Sequence, residues 1–463
     1  MERVKAYDPD ADEDLLDRAY VYAMKAHGGQ TRKSGDPYFS HPLAVAGILT
    51  DLRADPSTVA TALLHDVVED TEKTIDDIRT AFGDEIATLV EGVTKLSGIE
   101  GKGEASRAAE NFRKFVMAMA DDVRVLLVKF ADRLHNMRTL EHHKDAEKRR
   151  RIALETMEIY APLAGRIGVQ RFRDELEDLA FREITPAAYE AISNRLEELR
   201  QSTVEGVIEL RQELQKQFDA IGVAAEVYSR EKRPYSIWRK MTAKNVGFDE
   251  IADIYAFRVL VPEVEDCYRA LGVVHLGWRM IPSEFDDYIS APKPNGYKSI
   301  HTAVIGPPRK DSSRQRIEIQ IRTREMHEAA ERGVAAHWQY KDKAGKDGRS
   351  VEIVGQYDPY ETPRRLVEMY QLGEDLDEVL RYAKIELFQD QVFCFTPKGM
   401  VVALPKGASV LDYAYALHTD IGDTCVGAKV NGVVAPLRTA PKNGAVIEII
   451  RGVDAPPPPE WEQ

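Results

Sequence analysis

The stretch Ala62-Leu63-Leu64-His65-Asp66-Val67-Val68-Glu69-Asp70-Thr71 runs from apolar residues straight into four groups able to bind a metal or move a proton. Read as one helix over 56–70, it sets His65 and Glu69 one turn apart on one face, and Asp66 and Asp70 on a face turned from it by one residue. A His-Asp doublet leaves a metal shell incomplete, and the chain offers ligands on both sides. His41 lies upstream, and Asp132 lies downstream in Lys129-Phe130-Ala131-Asp132-Arg133-Leu134-His135-Asn136-Met137. Two imidazoles and two carboxylates suit Mn²⁺ or Fe²⁺ at least as well as Zn²⁺. Such an ion acidifies a bound water and polarises a phosphoryl oxygen, and Glu69 and Asp70 are placed to orient or deprotonate that water. Asn136, one turn after Asp132, offers an amide that can read a base or sugar. The pattern is that of a metal-dependent phosphohydrolase.

At 463 residues the chain is too long for one core, and its length suggests about three domains. With 43% hydrophobic and 30% charged residues it has ample material for packed cores. No apolar run is long enough to cross a bilayer and Met1–Asp8 lacks the apolar centre of a signal peptide, so the expected location is the cytoplasm, with no membrane partner. Cys267, Cys394 and Cys425 are far apart and read as small core residues. A net charge of −14 argues against unspecific binding along nucleic acid, so a polyphosphate ligand needs local positive charge. Arg230-Glu231-Lys232-Arg233, continuing through Arg239, Lys240 and Lys244, supplies it, as do Lys293, Lys298, Arg322 and Arg324.

Working outward, apolar residues recur at three and four from Asp12 to about Arg182, and the first third reads as all-helical, with helices over 12–27, 41–52, 56–70, 75–81, 84–96, 105–120, 122–140 and 146–163. The turn-rich loop from Gly28 to Pro37 carries Arg32, Lys33 and Ser34 just before His41, well placed to hold phosphates or a base. Residues 185–218 form a long amphipathic connector. Strand-like stretches at 224–229, 256–261, 301–305 and 316–321 then alternate with helical ones at 236–244, 264–276 and 325–341, predicting a mixed-sheet α/β or α+β domain. A charged stretch at 341–350 and a helical piece over 366–387 lead to a small β-rich module. Strands at 391–396 and 400–404 there flank a hairpin turn, followed by a helix over 409–419 and strands at 428–434 and 445–450. The Pro-rich end is an extended tail.

In the middle domain, the cations from Arg230 to Lys240 cradle triphosphate charge. Asp253 and Glu318 stand at strand positions where an acidic side chain needs a reason. With Mg²⁺, two carboxylates suffice to activate a hydroxyl for attack on phosphorus, one binding the ion and the other taking the proton. Between them Lys293-Pro294-Asn295-Gly296-Tyr297-Lys298-Ser299-Ile300-His301 supplies a cation, a tight turn and an aromatic face on which a purine can stack.

These residues resemble the long RelA/SpoT homologues. His41, His65-Asp66-Val67-Val68-Glu69-Asp70 and Asp132-Arg133-Leu134-His135-Asn136-Met137-Arg138-Thr139 look like the HD hydrolase domain of that family. The resemblance implies Mn²⁺ at His41, His65, Asp66 and Asp132, catalysis by Glu69 and Asp70, and guanine-nucleotide contacts from Arg32, Lys33, Ser34, Asn136 and Thr139. The reaction implied is removal of the 3′-pyrophosphate of ppGpp or pppGpp. The middle domain is similar to the family's nucleotidyltransferase-like synthetase, which moves pyrophosphate from ATP to the 3′-hydroxyl of GDP or GTP. By motif match Asp253 would hold Mg²⁺, and Glu318 would be the base or a second metal ligand. Tyr297 would stack on guanine, Arg230, Lys232, Lys240, Lys293 and His301 would meet phosphates, and Asn295 and Gln320 would support the site. Glu284-Phe285-Asp286-Asp287 departs from the basic stretch usual in bifunctional members and leaves the choice between GDP and GTP open. Glu231 stands where a proline is common and is expected to weaken ATP binding.

Residues 393–450 look like a TGS module, an α+β ubiquitin-like fold. In the family His418 sits where that module meets the CCA end of a tRNA on the ribosome, and in SpoT-like members the module is linked to acyl carrier protein; a histidine capping its own helix is the plainer reading of the same residue. The expected order is hydrolase domain (1–184), helical connector (185–218), synthetase domain (219–345), linker with helix (346–387), TGS module (388–453) and tail (454–463). Because long members of the family continue further, the chain reads as a truncation or a short form. Three functions fit the sequence: an enzyme that makes and destroys ppGpp, a hydrolase with an idle synthetase, and a non-catalytic nucleotide or tRNA sensor.

Overall fold

A computed structural model of the protein describes residues 1–31, 35, 37–97, 122–248, 251, 254–293, 295–308, 314–333, 391–397, 401–405, 407–442 and 444–452. The chain divides into two units, Met1–Leu376 and Asp377–Gln463.

The first unit opens with helices α1 (Glu2–Lys5), α2 (Glu13–Ala26), α3 (Ser40–Asp51), α4 (Pro56–Leu64), α5 (Val67–Asp70), α6 (Ile75–Phe82), α7 (Asp84–Ser97) and α8 (Val123–Arg138). Their starts are written in the sequence. Asp12, Asp55 and Asp122 each accept a backbone N–H of the first turn, and Thr74 with Asp77 forms a reciprocal capping box. α9 (Ala146–Glu155) passes through a π-helical turn at Thr156–Tyr160 into α10 (Ala161–Arg166), followed by α11 (Gln170–Ile184). The π turn ends just ahead of Pro162, which has no N–H to offer the carbonyl of Glu158.

The structure corrects the helix expected over 56–70. It stops at Leu64, and His65 and Asp66 form a turn before α5. The His65 ring is the reason, because its Nδ1 takes the carbonyl of Ala62, which a continuing helix would give to the Asp66 N–H. The 146–163 helix is likewise interrupted, and the 105–120 helix lies outside the described residues.

The connector is α12 (Pro186–Ala220), one helix of 35 residues. It leads into a mixed sheet of order β1-β2-β6-β5-β3, built from β1 (Glu226–Glu231), β2 (Tyr255–Val261), β3 (Arg279–Met280), β5 (Ile300–Pro308) and β6 (Arg314–Thr323), with β4 (Asp286–Asp287) on β5. β2 and β6 run parallel and the remaining pairs antiparallel. Helices α13 (Pro234–Lys244), α14 (Val264–Gly277) and α15 (Arg324–Arg332) connect or extend the strands. Leu214 and Phe218 of α12 pack with Phe257, Val259, Ile319 and Ile321 of the sheet. Toward its other end, Ile192 and Leu196 join Phe181, Ile237 and Ile254. α15 ends at Arg332 where a helix to 341 was expected; residues 334–341, the 366–387 helix and the tail lie outside the described residues.

The second unit has a β7 (Gln391–Phe395) and β8 (Val401–Pro405) hairpin, helices α16 (Val410–Leu417) and α17 (Thr419–Asp423), and a sheet of order β10-β9-β11. The strand expected over 428–434 is two strands, β9 (Cys425–Val430) and β10 (Val433–Ala435), and the last strand is β11 (Ile447–Arg451). Asn431 and Gly432, with φ of 53° and 81°, make the two-residue turn between β9 and β10.

Helical half and mixed sheet meet at a pair of glycines. Gly333, at φ +56°, lies so close to the Ile167–Val169 backbone that a Cβ on it would stand 2.5 Å from the carbonyl carbon of Gly168. Gly333→Ala therefore has neither the space nor the backbone conformation it needs, and is expected to cost about 1–3 kcal/mol. Gly206→Ala, in open space on α12, is expected to be neutral or stabilising by up to about 1 kcal/mol. Thermal denaturation of the two variants checks this, and an unchanged melting temperature for Gly333→Ala would refute the tight contact.

Candidate active sites

In the helical half, α3 contributes His41 from its first turn, the α4–α5 turn contributes His65 and Asp66, and α8 contributes Asp132. His41, His65 and Asp132 are buried and bring one ligand atom each to within 4.8 Å of the others. Asp132 Oδ1 lies 3.1 Å from His41 Nε2. Asp66 places Oδ1 3.0 Å from His65 Nε2 and Oδ2 3.6 Å from His41 Nε2.

The donor set fits a divalent cation. Because the carbonyl of Ala62 accepts from His65 Nδ1 at 2.8 Å, the lone pair of the neutral ring sits on buried Nε2, where its neighbour is the Asp66 carboxylate, itself only an acceptor. Burial opposes a charge on the ring, yet Asp66 and Asp132 raise its pKa to about 9. The pocket thus demands positive charge at this spot, either a proton or a metal ion that displaces it. Burial also works against the Asp66 charge, but His65 and His41 hold its pKa down to about 2.

Asp132 has partners the sequence reading passed over. Lys129 Nζ, itself buried, lies 3.0 Å from Oδ2. Asn136 Nδ2 donates to Oδ1 at 2.7 Å, and His135 Nδ1 lies 2.8 Å from His41 Nδ1. Asn136, read from sequence as an amide for a base or sugar, thus also supports Asp132. All three residues stand within about one helical turn of Asp132, so helix spacing was the available signal. Thr139 caps the same helix, its hydroxyl bonded to the carbonyl of His135 at 3.1 Å. Glu69 and Asp70 are exposed at the pocket. Arg32, Lys33 and Ser34 lie outside the described residues, between Thr31 and Pro37, which pair as an antiparallel bridge.

In the sheet half, strand register assembles a second cluster. β2 sets Arg258 opposite Gln320 of β6, and β5 sets His301 opposite the same residue. Glu318 accepts from Lys232 Nζ at 2.8 Å and from Gln320 Nε2 at 3.1 Å. Burial raises its pKa, but Lys232 and Gln320 outweigh it and keep the carboxylate ionised. Tyr297 OH lies 2.8 Å from His301 Nε2, and Lys293 Nζ lies 4.7 Å from the Tyr288 ring centroid. Asn295 shapes the turn by accepting the Tyr297 N–H at 3.2 Å, and donates to the carbonyl of Gly165 at 3.1 Å. Lys240 is half-buried on α13, and Asp253 lies outside the described residues.

Arg258 was not singled out from sequence, and Arg322 was read there only as one of several local cations. Arg322 is only 2% exposed, its guanidinium 5.9 Å from the Tyr297 ring centroid, and it donates to His327 Nδ1 at 2.9 Å. Arg258 and Arg322 both approach Glu331, at 3.2 and 3.6 Å, and the Nε of each is buried without a hydrogen-bond partner. Burial, with Arg258 and Arg230 nearby, pulls the Arg322 pKa down to about 10. Such an excess of buried positive charge favours an anion. Glu231, expected to weaken phosphate binding, is held by Arg200 of α12 at 2.7 and 2.9 Å, which offsets its charge.

The assignment of the chain rests on three matched segments. Residues 19–170 match the HD domain, residues 229–345 the region found in RelA/SpoT proteins, and residues 392–451 the TGS domain. Over these segments the chain is similar to the RelA/SpoT homologues. The GTP pyrophosphokinase rsh of Brucella ovis is 54% identical over 462 residues, covering 100% of this chain and 61% of that protein. The guanosine-3′,5′-bis(diphosphate) 3′-pyrophosphohydrolase of Vibrio cholerae is 43% identical over 448 residues, covering 97% and 62%. This chain thus spans about six-tenths of the length of these relatives. A solved structure titled a metazoan ortholog of SpoT that hydrolyzes ppGpp aligns at 26% identity and TM-score 0.30, covering 38% of this chain and 97% of its own. The HD segment of the family and the buried His-Asp cluster together mark a divalent-metal site. In the TGS unit, His418 Nδ1 accepts the Asp420 N–H at 3.1 Å, so this exposed histidine caps α17.

The low histidine pKa values in the sheet half give a pH test. Burial, with Lys293, Arg322 and Arg230, outweighs Glu318 and pulls His301 down to about 4; burial, with Arg322 and Arg258, does the same to His327. A folded-state pKa below the unfolded value of about 6.5 means the unfolded chain binds more protons between these values, so stability falls as pH drops from about 6.5 toward 4. At pH 5 each histidine is expected to cost roughly 1–2 kcal/mol relative to pH 7.5. Denaturant titrations at both pH values should show a smaller acid loss in His327→Gln than in the parent protein.

Proposed function

We propose that the chain is a bifunctional enzyme that hydrolyses (p)ppGpp in the helical half and makes it in the sheet half. The observation that carries this reading is the presence, in one chain, of two chemically opposite pockets. One gathers buried carboxylates and imidazoles around a place for a cation, and the other gathers buried Arg322 with half-buried Arg258 and Lys232, the lysine paired with Glu318.

For hydrolysis, His41, His65, Asp66 and Asp132 would hold Mn²⁺, which acidifies water and draws charge from a phosphoryl oxygen. Glu69 and Asp70 orient the attacking water and take its proton while the bond from phosphorus to the 3′-oxygen breaks and that oxygen takes up a proton from solvent. Pyrophosphate leaves, and GDP or GTP remains. Arg32, Lys33, Ser34, Asn136 and Thr139 would contact the nucleotide, and Asn136 also holds Asp132. For synthesis, Asp253 and Glu318 would hold Mg²⁺. Glu318 takes the proton of the acceptor 3′-hydroxyl as its oxygen attacks the β-phosphorus of ATP, and AMP leaves. Arg230, Lys232, Lys240, Lys293 and His301 meet phosphates, Tyr297 stacks on guanine, and Asn295 and Gln320 brace the site. Both reactions draw on the cytoplasmic nucleotide pool, where we place the protein. The TGS module is the candidate contact for a tRNA CCA end on the ribosome or for acyl carrier protein, with His418 at that surface.

Two active sites working at once would consume ATP to no end, so reciprocal control is expected. Beside the 185–218 connector, α11, just before it, carries ion pairs toward both halves. Asp174 of α11 lies 2.8 Å from Arg230, and Asp178 accepts the Tyr235 N–H at 3.0 Å. The adjacent Glu175 pairs with Arg138 at 2.6 Å, next to Thr139. With Arg230 held by Asp174, a second reading is a hydrolase whose synthetase is idle in this conformation.

The test measures ppGpp hydrolysis with Mn²⁺, and synthesis from ATP and GDP with Mg²⁺. His65→Ala should abolish hydrolysis alone and Glu318→Gln synthesis alone; loss of both activities in either variant would refute two independent sites. Asp174→Asn should lower KM for ATP roughly two- to five-fold, the value of one partly exposed ion pair. An unchanged KM would remove α11 from the control of synthesis.

A further inference from the structure

Tyr38 lies two residues ahead of α3, at the end of the loop closed by Thr31 and Pro37, and carries none of the roles above. Its hydroxyl stands between two carboxylates, 3.2 Å from Asp66 Oδ2 and in a short hydrogen bond to Asp70 Oδ2. Asp66 belongs to the candidate metal shell and Asp70 to the group proposed to handle water. A phenol has one proton to give, so the hydroxyl links two anionic groups that would otherwise only repel each other.

The rest of the residue is fixed from two further directions. Its ring stacks on buried His27 with centroids 4.8 Å apart and planes at 25°. Its N–H donates to the carbonyl of Gln30 at 2.9 Å. Gln30 in turn accepts from His27 Nδ1 at 3.0 Å and donates from Nε2 to the carbonyl of Asp70 at 2.8 Å. Asp70 is thus gripped twice by this loop, by its backbone through Gln30 and by its carboxylate through Tyr38. A side chain needed only for packing would not require the second grip. On the exposed side of the pocket, an Asp70 without it is free to turn into solvent.

We propose that Tyr38 is a positioning residue for hydrolysis, its hydroxyl holding the Asp70 carboxylate in the orientation that receives the proton of the attacking water. The inference rests on the hydrolase reading above. It differs from a role in metal binding alone, since Asp70, outside the candidate metal shell, is held both by Tyr38 and by Gln30.

The experiment compares the full chain with Tyr38→Phe, Asp70→Asn and the double variant, in steady-state ppGpp hydrolysis with Mn²⁺ and in Mn²⁺ titrations followed by electron paramagnetic resonance. Phenylalanine keeps the ring on His27, and an unchanged melting temperature verifies that. Tyr38→Phe should lower kcat about ten-fold with KM within two-fold of the parent. In the Asp70→Asn background the same change should cost less than two-fold, because the partner is already lost. Mn²⁺ affinity should stay within about three-fold. Full activity of Tyr38→Phe overturns the proposal, as does a full additional ten-fold loss in the double variant or a Mn²⁺ affinity that falls more than ten-fold, which would place its action on Asp66. Absence of hydrolysis by the parent protein overturns the hydrolase reading itself, and the proposal with it.

Discussion

A carboxylate removed from water must be matched by partners that hold its charge, and Asp132 imposes that demand on the whole helical half. It is 6% exposed, and its oxygens meet Lys129, Asn136 and His41. Lys129 and Asn136 come from its own helix, but His41 arrives from α3, so α3 and α8 must cross at this point. His65 completes the cluster only because α4 stops where it does. Removing one partner would leave an unbalanced buried charge, which is far costlier than losing a surface ion pair.

The sheet half reverses the sign of the problem. There Arg258 and Arg322 stand in the interior with Glu331 as their shared carboxylate, while Lys232 is matched by Glu318. One unit therefore contains a pocket short of positive charge and another with too much of it. Between them runs α11, with Asp174, Glu177 and Asp178 turned to the sheet half and Glu175 turned to α8. A net charge of −14 for the chain hides both local imbalances.

Much of this was legible in the residues. His65 and Asp66 stood out as a doublet at the end of an apolar run, with His41 and Asp132 as further donors on either side of it, and the mixed sheet follows from the change of period after residue 224. What escaped depended on burial. Lys129, three residues before an aspartate, reads as a solvated surface pair until the helix is known to be enclosed. Arg258 interrupts the apolar run Tyr255-Ala256-Phe257-Arg258-Val259-Leu260-Val261, a signal that was present but reads equally well as a strand edge. The break after Leu64 was out of reach, because it turns on a side-chain nitrogen competing for one carbonyl. Asn431-Gly432 was a plain hairpin signal that the expected single strand ran over.

The connector helix has a geometric consequence of its own. Ile192 and Leu196 belong to one core and Leu214 and Phe218 to another. The pairs are 22 residues apart, and at about 100° per residue this is six full turns plus about 40°. Both cores therefore lie on nearly the same side of one rod about 52 Å long. The rod acts as a phase lock: one residue inserted between Leu196 and Leu214 would swing one core by about 100° around the axis relative to the other, whereas a change of seven residues would nearly restore the alignment.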